Sequence, residues 1–310
     1  MTKYLFVVMI ILGTFSMSCA RPPHNRPRGR GHRHHTVTRS FGMNKKNLVA
    51  ATERPVSKNE MNIQIKGQNK IIMGNGIPFH KTGLFPNRGN PHFIKAQSYR
   101  YSIPARPKLA GSITKVSFGN FGIALNGVPF DPMAAEFYKG DRERGWQYEA
   151  LSGAVPLGVD ENYAHVQPNG AYHYHGLPTL YLKRMGLHSK KHSPLIGWAA
   201  DGFPIYALYG YSSSKIKKFK SSFKLKAGLR HWDGPSSDHD GTFVRDYEYV
   251  AGLGDLDQCN GRFGTTPEFP KGTYAYFLTE NWPVIPRCFK GIPDDSFKRK
   301  RRPHPRRRRP

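Results

Sequence analysis

Three histidines within one short segment are the residues of this chain best placed to do chemistry: His165, His173 and His175, in Asn162-Tyr-Ala-His-Val-Gln-Pro-Asn-Gly-Ala-Tyr-His-Tyr-His175. Neutral imidazole is the commonest protein ligand for zinc, copper and nickel. Two imidazoles at i and i+2, with a third across a strand pair, resemble open metal sites. The competing reading makes them ordinary half-buried sheet residues, with ring nitrogens bonded to backbone or water. No cysteine stands nearby to strengthen the metal reading.

Whether the three meet depends on the turn between them. Pro168 suits the first corner of a type I turn, Asn169 the second, and Gly170 the left-handed residue that follows. Together they make a three-residue hairpin loop with a glycine bulge. Gln167 then faces Ala171, and His165 stands opposite His173. Side chains alternate along a strand, so His173 and His175 share one face while Tyr172 and Tyr174 share the other. A loop of two or four residues would move His165 to the tyrosine face.

The elements around this hairpin read as strands and turns. Asn75-Gly76, Asn126-Gly127, Asn169-Gly170, Asp201-Gly202, Asp240-Gly241, Asn260-Gly261 and Lys271-Gly272 punctuate short apolar or alternating stretches. Few stretches show helical period, the best being Pro132 to Tyr138 and Leu177 to Met185. The predicted fold is mainly β: a single antiparallel-sheet-rich, sandwich-like domain with few short helices over residues 61–297, flanked by disordered basic arms at 21–60 and 298–310. One internal echo stands out, because Pro168-Asn-Gly-Ala-Tyr-His-Tyr-His175 recurs as Pro270-Lys-Gly-Thr-Tyr-Ala-Tyr-Phe277. The tyrosine face therefore reads as structural and the histidine face as special, although two copies are too few for a repeat architecture.

Residues 1–20 read as a secretory signal peptide, with an apolar run from Tyr4 to Gly13 and small residues up to Ala20. That run is far shorter than the roughly 20 residues a membrane span needs, so no span is expected. Cleavage there removes Cys19 and leaves Cys259 and Cys288, which an oxidising compartment would pair. The expected location is extracellular.

The net charge of +27 is unevenly spread. Residues 21–35 hold five Arg and four His with no acid, and residues 298–310 hold nine Lys or Arg with none. A secreted polycation meets acidic polysaccharides, acidic matrix proteins and anionic mineral faces, through charge that salt screens. Nucleic acid is not an expected partner: the tail would suit it in a cytosolic protein, but the leader contradicts that context. The cluster His32-Arg-His-His35 could hold metal loosely.

Other constellations are weaker. Ser236-Ser-Asp-His-Asp-Gly241 partly mimics a calcium loop, but its twelfth position is Tyr247, so only loose calcium binding by Asp233, Asp238 and Asp240 stays open. Asp201, in an apolar stretch, needs a partner and is a candidate to support a ligand histidine or act as a fourth ligand. Its bland reading is a turn carboxylate. His80 and His192 are lesser candidates of the same kind. The common hydrolase signatures, the glycine-rich phosphate loop and an N-glycosylation acceptor are all missing.

At Tyr172-His-Tyr-His175 the chain resembles the YHYH protein family, which is named for that tetrapeptide. The resemblance extends to Asn75-Gly-Ile-Pro-Phe-His80, Asn126-Gly-Val-Pro-Phe130, Ser193-Pro-Leu-Ile-Gly-Trp-Ala-Ala-Asp-Gly-Phe-Pro-Ile-Tyr206, Asp255-Leu-Asp-Gln-Cys-Asn-Gly261 and Thr266-Pro-Glu-Phe-Pro-Lys-Gly-Thr-Tyr-Ala-Tyr276. It covers about Met61 to Gly291 and implies an extracytoplasmic domain, without a mechanism to carry over. The expected function is that of a matrix or biomineral-associated protein whose arms adhere to polyanions and whose hairpin holds a transition metal, copper or zinc. The rival is an extracellular metalloenzyme, an oxidoreductase or hydrolase using the same histidines.

Overall fold

The computed structural model describes residues 48–117 and 119–298, so the segment read as a leader, most of the first basic arm and nearly all of the carboxy-terminal basic run lie outside the described residues. A meander of β1 (Met61–Lys66), β2 (Asn69–Gly74) and β3 (Tyr99–Pro104) comes first, then a two-residue strand β4 (Thr114–Lys115). β5 (Gly122–Ala124), β6 (Pro129–Phe130), β7 (Ala164–Val166) and β8 (Tyr172–Tyr174) follow, and a short helix α1 (Thr179–Arg184) closes that stretch. The chain continues through β9 (Gly197–Ala199), β10 (Pro204–Ala207), β11 (Tyr209–Ser212), β12 (Lys215–Lys218), β13 (Phe223–Leu225) and β14 (Tyr247–Tyr249). It ends with β15 (Gly261–Gly264), β16 (Thr273–Leu278) and β17 (Cys288–Phe289). The fold is mainly β, as expected from the punctuation of the sequence. The helical period seen at Leu177 to Met185 becomes α1, whereas Pro132 to Tyr138 forms no α-helix and ends in a single 3-10 turn at Tyr138–Gly140.

Eight strands form the central sheet in the order β15-β16-β10-β9-β5-β6-β8-β7. Ile72, Tyr101 and Ile103 of the meander join the same apolar core as Ile123, Phe130, Ile205 and Tyr276 of the large sheet, so the two sheets pack face to face. Residues 48–60, assigned from sequence to the disordered arm, are part of the fold: Val49 pairs with Asp160, Glu53 with Thr82, and Ala51 is buried. The segment carries too few apolar residues to announce this. Its backbone instead completes pairings offered by the folded domain.

The large sheet is a twofold repeat. On one side β7-β8-β6-β5, and on the other β15-β16-β10-β9, place two hairpin strands outside, a parallel neighbour next, and an antiparallel strand at the centre. The halves meet at β5 and β9 in a symmetric register, with Gly122 opposite Ala199, Ile123 opposite Trp198 and Ala124 opposite Gly197. Gly122 and Gly197 are equivalent, and a Cβ on either would fall 2.5 Å from a carbonyl oxygen of the other half, so both positions need glycine. The turns after them repeat too: Gly127 donates to Ala124 as Gly202 donates to Ala199, at 2.8 and 2.9 Å. The echo in the sequence is the visible end of this repeat.

Candidate metal centre

The hairpin forms in the register predicted from its turn. Gly170 N–H donates to Gln167 O at 2.8 Å, Gln167 N–H donates to Ala171 O at 3.0 Å, and Gly170 holds φ of 88°. His165 lies opposite His173. The three imidazoles form a nearly equilateral set, with ring centroids 4.6, 4.7 and 4.7 Å apart. His175 Nε2 lies 3.0 Å from His173 Nε2 and 3.0 Å from His165 Nε2. His173 and His175 are buried and His165 is partly so.

The outer nitrogens show which tautomers are present. His165 Nδ1 lies 3.0 Å from Leu157 O, closer than the 3.3 Å to Asn90 Nδ2, which donates to Val166 O at 2.9 Å, and His173 Nδ1 lies 3.1 Å from Ala171 O. A carbonyl only accepts, so both Nδ1 atoms carry the proton and both Nε2 atoms present lone pairs. Gln167 Nε2 lies 3.2 Å from His173 Nε2 and is placed to donate to it. Burial pushes the His165 pKa down to about 3, with the neighbouring His173 adding to the effect and Asp131 partly opposing it. Neutral imidazoles with converging lone pairs are the form in which histidine binds metal. These three can hold a metal ion, and they are the one such grouping of His, Cys, Asp or Glu among the described residues. Bonds of about 2.0–2.1 Å to a tetrahedral ion need nitrogens about 3.3 Å apart, a few tenths more than the spacing seen.

One side of the triad is open. His165 and His175 line a cavity of about 280 Å³ together with Asn90, Met133, Glu136 and Leu157. The opposite face of the hairpin is closed by hydrogen bonds. Tyr172 donates to Asp160 Oδ2 at 2.7 Å, and Asp160 also accepts from the amides of Gly83, Asn162 and Ala164. Tyr174 Oη lies 2.6 Å from His80 Nε2 and accepts from Asn126 Nδ2 at 2.8 Å. His80 Nδ1 donates to Lys81 O, so Nε2 accepts the tyrosine proton; burial lowers the His80 pKa to about 4. These groups set the strand, and through it the imidazoles, without touching them.

The remaining candidates are not brought to the triad. Asp201 accepts from Tyr276 Oη at 2.6 Å and from Gly291 N–H at 2.9 Å, which makes it the turn carboxylate of the second half. His80 is a partner of Tyr174, and His192 donates from Nδ1 to Ser193 O and packs edge-on against Tyr206. Asp233 is taken by Trp146, His231 and Arg245, and Asp240 by Arg230 and the amide of Thr242, so no calcium loop forms there. Cys259 and Cys288 form a disulfide, as expected. His32, His34 and His35 lie outside the described residues. Sequence reasoning missed Asp131, His92 and Glu136 beside the triad, and the Leu157 carbonyl that orients it. None of these belongs to a pattern, because each reaches the site from an irregular loop.

A mainly β domain with three imidazoles converging from one hairpin defines a candidate mononuclear metal protein. The chain belongs to the YHYH protein family, whose model matches residues 100–291 and includes the whole triad and the disulfide. No curated protein and no solved structure matches it. Among the described residues no helix is long and apolar enough to cross a membrane.

Proposed function

We propose that this is a secreted metal protein in which His165, His173 and His175 hold one transition-metal ion, copper or zinc, and whose cationic terminal segments attach it to acidic polysaccharides, acidic matrix proteins or a mineral face. The observation that carries the metal clause is that His175 Nε2 lies 3.0 Å from both His165 Nε2 and His173 Nε2, while those two rings carry their protons on Nδ1. The Nε2 lone pairs of His165 and His173 both face His175 Nε2, and a cation placed among the three rings would meet three imidazole donors. The adhesion clause rests on charge: a dense positive run gains from many weak screened contacts made at once. The disulfide is compatible with export.

The cavity favours a second reading, an extracellular metalloenzyme of oxidoreductase or hydrolase type. Three protein ligands leave a coordination position open, and His165 and His175 line the cavity onto which it would face. In either reading the ion supplies Lewis acidity or redox chemistry. The chain supplies orientation through the Leu157 and Ala171 carbonyls, and a partly apolar chamber beside the ion.

Elemental analysis of the purified chain is the test. The expected result is about one equivalent of copper or zinc, falling to near zero in His173→Ala and in His175→Ala, as for sites that lose one of three ligands. Absence of metal in the wild type, with no uptake on titration with either ion, sinks the metal clause. Removal of residues 298–310 is expected to abolish retention on an insoluble polyanionic matrix; unchanged retention sinks the adhesion clause. Turnover on phenols or matrix polymers that His173→Ala abolishes while adhesion survives selects the enzyme reading.

A further inference from the structure

The cavity beside the triad is chemically unlike the rest of the chain. The sequence carries 48 Lys and Arg, yet among the described residues none of them lines this chamber. Its walls are largely apolar, with Met133, Val155 and Leu157 among them, and its ionisable groups besides the triad are Glu136 and His92. The Glu136 carboxylate makes no hydrogen bond or ion pair among the described residues, and its chain neighbour Ala135 is exposed at the rim. Asp131 lies near enough to His165 to favour its charged form. Among the described residues, a carboxylate, sulfate or phosphate entering here finds no cationic side chain and meets Glu136 as a like charge. An ammonium group finds a counter-charge, and its hydrocarbon body finds the apolar wall.

We infer that this cavity binds a small organic amine, of about the size of a single ring, with its ammonium group on Glu136 and its apolar body against Met133, Val155 and Leu157. The inference deepens the metal-centre reading and rests on it for any chemistry done on the amine, though not for the binding itself. It also separates two recognition tasks in one protein. Polyanions belong to the basic segments, and a compact cation belongs to the chamber.

Three probes of one shape and different charge test this: benzylamine, benzyl alcohol and benzoate, titrated at neutral pH into the full chain, metal-free and zinc-loaded, with binding read by calorimetry. In the metal-free protein benzylamine is expected to bind about tenfold tighter than benzyl alcohol, as a charge-assisted contact supplies, with benzoate weakest. Glu136→Gln is expected to remove that preference while zinc uptake stays as in the wild type. Ala135→Trp, at an exposed rim position, is expected to block all three probes. Benzoate binding as tightly as benzylamine, no binding of any probe, or a preference that survives Glu136→Gln overturns the inference. Zinc uptake is measured separately, so a chain that binds benzylamine and no metal refutes the metal-centre reading alone.

Discussion

His173 in β8 and His175 just after it occupy the places that Ala275 and Phe277 occupy in β16, and His165, opposite His173, corresponds to Arg262, opposite Ala275. Around them the two halves agree closely. Asp160 N–H donates to Ala164 O as Asp257 N–H donates to Gly261 O, and Tyr163 and Asn260 both take positive φ, 52° and 54°. Tyr172 donates to Asp160 as Tyr274 donates to Asp257, and Tyr174 reaches Asn126 as Tyr276 reaches Asp201. On the other face the halves part. Ala275 and Phe277 close into a buried apolar cluster with Tyr206, Phe219 and Leu256, and Arg262 lies over the Phe219 ring at 4.5 Å. The framework can therefore seal this face with apolar side chains. In the first half it carries three imidazoles and a cavity there, burying polar ring atoms where the second half buries carbon.

The largest expected effect sets the two buried supports against each other. Asp160→Ala leaves Tyr172 and three amides without their acceptor in a site sealed from water, and is expected to destabilise by about 3–5 kcal/mol in urea unfolding. Asp257→Ala, at a half-exposed position, is expected to lower stability by only about 1–2 kcal/mol, because water can replace the lost acceptor. Equal losses would break the proposed contrast between a sealed support and a water-accessible one.

The halves also differ in how they are tied. Cys259 corresponds to Asn162, so the disulfide to Cys288 cross-links the second half where the first has only the hydrogen bonds of Asn162 to Lys81 and Leu180. Replacing both cysteines by serine is expected to remove about 3–4 kcal/mol on the chain-entropy account. The metal-binding stoichiometry is expected to stay unchanged.

Acid should act on the first half. The His80 pKa is lowered to about 4 from 6.5, so the unfolded chain binds that proton more readily than the folded one. Stability from this histidine is complete above about pH 6.5 and falls as the pH drops toward 4, by roughly 3 kcal/mol in all at 1.4 kcal/mol per unit. In His80→Gln the curve of unfolding free energy against pH should be flatter across that window; an unaltered slope would remove His80 as its source.

The smallest effect on stability belongs to the substitution that matters most for chemistry. Writing the second half's residues onto the first, His173→Ala with His175→Phe, is expected to change metal-free stability by no more than about 1 kcal/mol, since lost polar contacts are offset by apolar packing. It should leave the fold intact by circular dichroism and abolish metal uptake.

Much of this was legible in the sequence, and what was not had a physical reason. Pro168, Asn169 and Gly170 specify one turn, the turn fixes the register, and the register gathers His165, His173 and His175. Cys259 and Cys288 could be paired because the one other cysteine, Cys19, falls in the segment read from the sequence as a leader. The repeat was hidden because its halves are interrupted differently: equivalent residues lie 75 apart at Gly122 and Gly197, 97 at Asp160 and Asp257, and 102 at Tyr172 and Tyr274. The second turn also misleads. Gly272 N–H donates to Phe269 O as Gly170 does to Gln167, but Thr273 pairs with Gly264, so the turn closes a longer connection instead of a three-residue loop. The orienting Leu157 carbonyl and the cavity residues His92 and Glu136 come from loops, where backbone atoms and lone side chains leave no period to read.

X-ray absorption on the copper- or zinc-loaded chain tests the central claim most directly. A first shell containing three nitrogen donors near 2.0 Å with imidazole scattering, reduced by one imidazole in His165→Ala, is the predicted result. A shell of oxygen donors, or an imidazole count that the loss of His165 leaves unaltered, would contradict it.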